Sequence, residues 1–400
     1  MLSLEDARLK IVSAAASLPS EFAAVGTALS RFVAEPIRAP IDIPRFDNSA
    51  MDGYAVRSID LQAASSDTPA TLVNVGTIPA GKSIQHEVTA GRCVRIFTGS
   101  PLPSGADAVV MQEDTERAGD KVIFREPARP LENVRLKGED VKGGTVILEA
   151  GQRINPARLG LLSACGIASV PVIRKPVVAL VATGSELREA GAELAPGEIY
   201  ESNRVLLAGL LEGIAEVKVY PIVPDDLSKS IEILREAFAS ADVVISSGGV
   251  SVGEFDYVKE AFTKLGGRID LWRIAIRPGK PFVYGLLDGK FLFGLPGNPV
   301  SAMVSFLLLV RPAILKLAGS QMLDLPILPG ELTREIANSS DRRHFMRVRW
   351  RDGKVYTTGP QASHMIGLLG ESNGLLDVPP KSQIPSGSIV PVQLWQLSEL

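Results

Sequence analysis

Cysteine is nearly missing from this chain: Cys93 and Cys165 are the two in 400 residues, too few for a disulfide framework or a thiolate zinc site. Histidine is as sparse. His86, His344 and His364 stand far apart without an HExxH spacing, so zinc chemistry of that type is not expected. No sign of charge dominates, since 42 basic residues against 45 acidic ones leave a net charge of −3, which removes the broad electrostatic footprint of a nucleic-acid or anionic-membrane partner. Any anion must be held locally. Long apolar runs are also lacking: the longest, Met303 to Val310, is interrupted by Ser305 and is expected to stop at Arg311-Pro312, well short of the ~20 residues that cross a bilayer. It reads as a buried helix. Glu5, Asp6 and Arg8 fall where a secretory leader would need an apolar core, so a cytoplasmic protein is expected.

What is present belongs to a folded chain of several domains. Hydrophobic residues make up 46% and charged residues 22%, enough to bury a large core, and the length suggests roughly two or three domains of about 150 residues each. Leu4, Ala7, Ile11, Ala14 or Ala15, and Leu18 recur at helical spacing up to Pro19. From Pro36 the texture changes to short Val/Ile-rich stretches at Thr71-Ile78, Cys93-Thr98, Ala108-Gln112 and Lys121-Arg125, parted by Gly, Pro and Asp. Residues 41–140 therefore read as a small β-rich domain. Residues 1–40 are paired with 141–175, which carry a strand at Thr145-Leu148 and a helix after Pro156, as a linking domain.

From Pro176 strand and helix alternate. Val177-Ala182, Val217-Val223, Ala241-Ser246 and Leu271-Ile276 read as strands; Leu227-Ala239 and a stretch capped by Ser202-Asn203 read as helices. The spacing predicts a doubly wound, mainly parallel α/β domain over residues 176–320, with ligands at the carboxyl ends of its strands. Beyond Leu323 helices are expected to cease. Arg347-Trp350 and Lys354-Thr358 flank the hairpin signal Asp352-Gly353, and Ile389-Leu394 reads as another strand, so residues 321–400 form a C-terminal β domain.

The chemistry collects in the turns of the α/β part. Ser247-Gly248-Gly249-Val250-Ser251-Val252-Gly253-Glu254-Phe255-Asp256 follows a buried strand and precedes a helix; its glycines let backbone amides approach a phosphate at the helix's positive end. Glu254 and Asp256 would repel that phosphate unless a divalent cation lay between, which points to magnesium. A plain turn with helix-capping acids fits equally well, since the run is neither GxxxxGK[ST] nor GxGxxG. Arg277-Pro278-Gly279-Lys280-Pro281 displays two cations on a stiff turn, with Arg273 just before it, suited to a polyanion or simply a charged surface turn. Gly294-Leu295-Pro296-Gly297-Asn298-Pro299 leads into a helix with Asn298 at the cap, again either an anion-facing terminus or an ordinary start. Glu186 and Asp225-Asp226 follow other strands of the same sheet, where they could hold a metal or serve as first-turn acids. Taken alone, the residues suggest magnesium-assisted handling of a phosphorylated small molecule.

The ordered set of runs closely resembles the molybdopterin molybdenumtransferase family, of the MoeA and gephyrin E-domain type. The resemblance rests on NSAMDGYAV at 48–56, TGSPLPSGADAVV at 98–110, KGEDV at 137–141, ATGSEL at 182–187, SSGGVSVGEFDY at 246–257, RPGKP at 277–281 and GLPGNPVSA at 294–302. It implies an elongated homodimer of four-domain subunits, with a cleft shared between the α/β domain of one subunit and the β-rich domain of the other. It further implies insertion of molybdenum from molybdate into adenylylated molybdopterin with release of AMP and a requirement for Mg²⁺. Glu186, Asp225 and Asp256 match the family's acidic residues around nucleotide and metal; Asp52 matches an acid contributed across the cleft, with Thr98 and Asp140 near it. Gly248, Gly249, Ser251, Gly253, Lys280, Pro296 and Asn298 fall in the matching ligand turns. Arg273 and Arg277 stand where similar proteins often have lysine, which keeps the charge and alters its geometry. Arg347 and Ser363 resemble residues of the molybdate region. Two alternatives accompany this reading: a molybdopterin adenylyltransferase, which is a single α/β domain and is otherwise a candidate partner, and a non-catalytic scaffold.

Overall fold

The computed structural model describes residues 1–81, 87–249 and 257–396. Its β-rich part is a six-stranded sheet whose spatial order is Ala108–Met111, Gly53–Val56, Arg92–Ile96, Ala70–Ile78, Lys121–Phe124 and Thr115–Ala118. Gly53 is obligatory there. A Cβ at that position would lie 2.0 Å from the Val110 carbonyl oxygen of the neighbouring strand. The linking region pairs Ser20–Ala24 with Ser169–Ile173 and Ile37–Arg38 with Val146–Leu148, under the helix Pro156–Ala164 capped by Asn155.

The amino-terminal helix, Leu4–Ala14, expected to belong with that region, packs on the α/β core. Ala7 and Ile11 are buried in the α/β core with Ile274, Ala313 and Leu317, and Lys316 Nζ donates to the Val12 carbonyl at 2.8 Å. Linking-region packing begins after it, around Ala23, Val33, Leu162 and Val172.

The α/β domain runs β1 (Val177–Ala182), α1 (Asn203–Leu211), β2 (Glu216–Val219), α2 (Leu227–Ser240), β3 (Val243–Ser247), α3 (Tyr257–Lys264), β4 (Arg268–Trp272), β5 (Val283–Leu287), β6 (Lys290–Leu295) and α4 (Pro299–Leu317). The sheet order is β2-β1-β3-β6-β5-β4, parallel except for β5, which is antiparallel to both neighbours. Both faces are covered. Val178 and Leu180 of β1 pack toward α1 and α4, while Ala179 and Val181 pack toward α2 and α3, which is why the strand reads as a continuous apolar run. Each fully buried aliphatic side chain here is worth roughly 1.5–3 kcal/mol.

Helix α4 does not stop at Arg311-Pro312. It continues to Leu317, with 89% of its apolar window buried. Between Phe306 and Val310 it widens, the Arg311 N–H donating to the Phe306 carbonyl five residues back. That wide turn accommodates a proline that lacks an N–H and would collide with the carbonyl of a regular turn.

In the C-terminal part, Ile327–Leu332, Arg343–Arg351, Lys354–Thr357, Gly374–Val378 and Ile389–Leu394 close on themselves as a five-stranded barrel. The hairpin residues Asp352 and Gly353 both have positive φ, 49° and 74°, as a tight two-residue turn requires. One short helix, Ile366–Gly370, interrupts the expected run of strands. Ile276–Arg277 adds to the barrel edge, with Arg277 opposite His344, and so ties the α/β domain to it.

Candidate functional site

Five connections meet at one rim of the α/β sheet: those after β1, β2, β3 and β6, and the β4-to-β5 loop. They enclose a cleft in two adjoining compartments. One, about 630 Å³, is lined by Thr183, Glu186, Asn203, Asp225, Gly248 and Gly249 among others. The second, about 440 Å³, is lined by Arg277, Lys280, Ser301, Arg342 and Ser363 among others. Pro281, Pro296, Asn298 and His364 border both.

The acidic compartment is built around the turn after β1. Asp225 Oδ2 accepts from the Ser185 N–H at 3.0 Å, and Ser185 Oγ accepts from the Asp225 N–H at 2.9 Å. Glu186 folds back over Gly184, where a Cβ would lie 2.6 Å from its Oε2. Both carboxylates thus border the Gly184-Ser185 turn. The next residue, Asp226, is a cap: its carboxylate accepts from the Lys229 N–H at 2.8 Å. Gly248 and Gly249 have φ of 85° and 65°, and a Cβ on Gly249 would meet Val258 Cγ2 at 2.6 Å and Thr183 Oγ1 at 2.7 Å. Only glycine fits so close an approach.

Two expected caps have other employment. Asn203 gives its amide N–H groups to Ser247 Oγ at 2.6 Å and the Gly297 carbonyl at 2.7 Å, bracing the turns after β3 and β6. The start of α1 is instead satisfied by Glu201, whose carboxylate accepts from the N–H groups of Asn203 at 2.7 Å and Arg204 at 2.9 Å. Asn298 makes no side-chain cap; its Nδ2 donates to Ser363 Oγ at 3.0 Å, closing the cleft against the barrel.

The basic compartment departs from expectation in two places. Strand β4 ends at Trp272 and Arg273 turns out of it at φ 82°, its N–H donating to the Phe282 carbonyl at 3.1 Å. Arg273 therefore does not sit on a strand, and it is not among the described residues lining either compartment. Arg347 is 1% exposed. Its guanidinium donates to the carbonyls of Met365 at 2.7 Å, Pro360 at 2.8 Å and Ala362 at 3.3 Å, so it clamps the loop that presents Ser363, and it is not among the described residues lining either compartment. Arg342, Ser301 and His364 were not singled out from the sequence: Ser301 sits inside the GLPGNPVSA run, whose signal was its glycines and Asn298, while Arg342 and His364 belong to none of the quoted runs and are brought to the cleft by the tertiary fold. Behind Arg277 lies His344, whose imidazole is pushed down to about 4 by burial and then by the charges of Arg277, Arg347 and Arg342.

Asp52, Thr98 and Asp140 do not line this cleft within one chain. Asp52 Oδ1 accepts from the Thr98 N–H and hydroxyl, each at 2.8 Å, and those two bonds, with the nearby Arg95 charge, hold its carboxyl below the usual range. Asp140 is exposed, its N–H bonded to the Ile43 carbonyl at 3.1 Å. Ser251, Gly253 and Asp256, with Glu254, lie outside the described residues. Among the described residues no three His, Cys, Asp or Glu side chains gather closely enough to hold a metal by themselves. A further concavity of about 590 Å³ on the barrel, around Arg349, Arg351, Tyr356 and Glu371, shares no residue with the cleft, and its arginines are already paired with Glu371 and Asp352.

The architecture is an α/β domain with a cleft at its rim, one half carboxylate and one half cationic, joined to a β-rich domain and a small barrel. Residues 2–166 match the family model for the MoeA N-terminal region (domains I and II), residues 179–316 that for a probable molybdopterin-binding domain, and residues 329–395 that for the MoeA C-terminal region (domain IV). The chain is 40% identical over 385 residues to the molybdopterin molybdenumtransferase of Haemophilus influenzae, covering 93% of each chain. It is 38% identical over 368 residues to molybdopterin molybdenumtransferase 2 of Mycobacterium tuberculosis, covering 90% of this chain and 91% of that one. The crystal structure of the molybdopterin biosynthesis MoeA protein of Pyrococcus horikoshii superposes with a TM-score of 0.83 at 32% identity, covering 99% of both chains. The chain belongs to the MoeA family of molybdopterin molybdenumtransferases.

Proposed function

We propose that this enzyme takes adenylylated molybdopterin and molybdate, releases AMP, and leaves molybdenum on the pterin dithiolene. The observation that carries the reading is the division of one cleft into a carboxylate half and a cationic half, because the reaction must hold a phosphoanhydride and a separate oxyanion side by side. The Gly248–Gly249 turn, whose left-handed glycines leave no side chain in the way, lets the nucleotide phosphates approach the main chain closely. Glu186 and Asp225 suit magnesium, which binds through one or two carboxylates together with substrate phosphates. When bound, the ion would neutralise charge on the breaking phosphoanhydride. Arg277, Lys280 and Arg342 hold the molybdate dianion, with hydroxyls of Ser301 and Ser363 as further donors.

Asp52 and Thr98 act on the cleft of a second subunit in a homodimer. The substrate reaches the enzyme from a separate adenylyltransferase; this chain is not itself that single-domain protein, since its family matches extend across the β-rich and barrel parts. Purified protein with Mg²⁺, adenylylated molybdopterin and molybdate should release AMP and yield cofactor that activates an apo-molybdoenzyme. Absence of AMP release would overturn the reading. Asp225→Asn removes a ligand charge and should slow AMP release by about tenfold or more while leaving the fold intact.

A further inference from the structure

We infer that Asn203 is a positioning residue that holds the phosphate turn at a set distance from the oxyanion side of the cleft, and so keeps AMP release coupled to molybdenum insertion. The inference rests on the function proposed above. Strands β3 and β6 are parallel neighbours with Ser247 opposite Leu295, and the Gly248 N–H donates to the Leu295 carbonyl at 3.1 Å. Beyond that bond their ladder ends. The chain after Ser247 enters the Gly248–Gly249 turn, and the chain after Leu295 enters Pro296-Gly297-Asn298. One amide group spans the gap: Nδ2 of Asn203 donates to Ser247 Oγ at 2.6 Å and to the Gly297 carbonyl at 2.7 Å. It comes from α1, on the crossover between β1 and β2, so neither turn supplies it.

Three features set this amide apart from ordinary packing. Its orientation is fixed, because a carbonyl only accepts and the group facing Gly297 must therefore be the NH2. Its base is fixed as well: the buried carboxylate of Glu201 accepts from the N–H groups of Asn203 and Arg204, and from Arg204 Nε at 2.8 Å. Its other end is bare, since Oδ1 is buried without a partner among the described residues. A buried acceptor left unpaired lowers stability, so stability alone does not explain this side chain. The spacing of the turns does. One substrate must reach both, with its phosphoanhydride at the first and its dithiolene beside an oxyanion near the second. Gly297 is followed by Asn298, whose Nδ2 donates to Ser363 Oγ in the cationic compartment at 3.0 Å, so a shift at Gly297 moves the oxyanion donors. The phosphate turn would still keep its ladder bond to Leu295 and the Thr183 N–H on the Ser247 carbonyl at 3.0 Å. Misplacing reacting groups by about 1 Å can cost about 100-fold in rate.

The test is Asn203→Leu in the full-length enzyme, a side chain of the same branching that donates nothing. AMP release and molybdenum incorporation are followed separately with adenylylated molybdopterin, molybdate and Mg²⁺, and folding is checked by thermal unfolding. Molybdenum incorporated per AMP released should fall about tenfold, and KM for molybdate should rise by a similar factor while KM for the adenylylated pterin changes little. A merely structural defect would lower both rates by the fraction of enzyme lost and leave their ratio untouched. A wild-type ratio and a wild-type KM for molybdate in folded Asn203→Leu would overturn the assignment. If that variant does not fold, Asn203→Ala carries the same expectation and the same refutation. A wild-type enzyme that releases no AMP would instead defeat the underlying function, a failure visible before any variant is made.

Discussion

His344 shows how much one buried side chain reports about its surroundings. It is 3% exposed, it stands opposite Arg277 in register, and its Nε2 has no partner among the described residues. Burial, reinforced by Arg277, Arg347 and Arg342, lowers its pKa from 6.5 to about 4. Between those values the unfolded chain binds the extra proton, so the stability this group supplies is complete above pH 6.5 and is lost as pH falls through 4, up to about 3 kcal/mol. His344→Leu should flatten the fall of the urea midpoint across that window relative to the wild type; parallel curves for the two proteins would refute a neutral, buried imidazole. The residue was legible only as one of three scattered histidines. Asn203 and Asn298 mislead in a related way. Residue type signals a helix start at both, but where an amide points depends on what the fold brings beside it, here Gly297 and Ser363.

Whole elements were easier to read than their ends. Strand β1 and the final barrel strand Ile389–Leu394 fall where the apolar patterns put them, because burial on both faces or alternation is written directly into composition. Their neighbours fail at the edges. Arg273 leaves β4 through a left-handed conformation that arginine seldom adopts, so nothing in Leu271-Ile276 marked the end of the strand. The loop at 360–365 illustrates the same limit at the site: its sequence holds a serine and a histidine that face the cleft, yet its shape is imposed by Arg347 from a strand of the barrel. Arg347→Ala would leave three carbonyls without their donor, costing on the order of 3 kcal/mol. Thermal unfolding should drop accordingly, and KM for molybdate should rise as Ser363 loses its support; an unchanged KM in a folded variant would separate the clamp from the site.

At the scale of the molecule, the motif run at 48–56 was visible in sequence, but its Asp52 does not line the cleft of its own chain. Asp52 and Thr98 bond each other in the β-rich domain, apart from the residues that line the cleft. A shared site, as proposed above, predicts complementation: Asp52→Asn and Asp225→Asn, each slowed about tenfold or more alone, should recover to about one quarter of wild-type AMP release after equimolar subunit exchange, since half the dimers are mixed and each has one intact cleft. No recovery in demonstrably mixed dimers would mean that each subunit works by itself. The reversed course of β5 matters here as well. By sending the chain back along the sheet, it delivers the 273–282 loop to the rim at the tip of a hairpin whose Ile276–Arg277 segment pairs with the barrel, while the carboxylates arrive on separate parallel crossovers. On the function proposed above, oxyanion preference would rest largely on that loop and on the barrel residues beside it, and nucleotide handling on the crossover turns, so substitutions in the one could retune the oxyanion accepted with little change in the other.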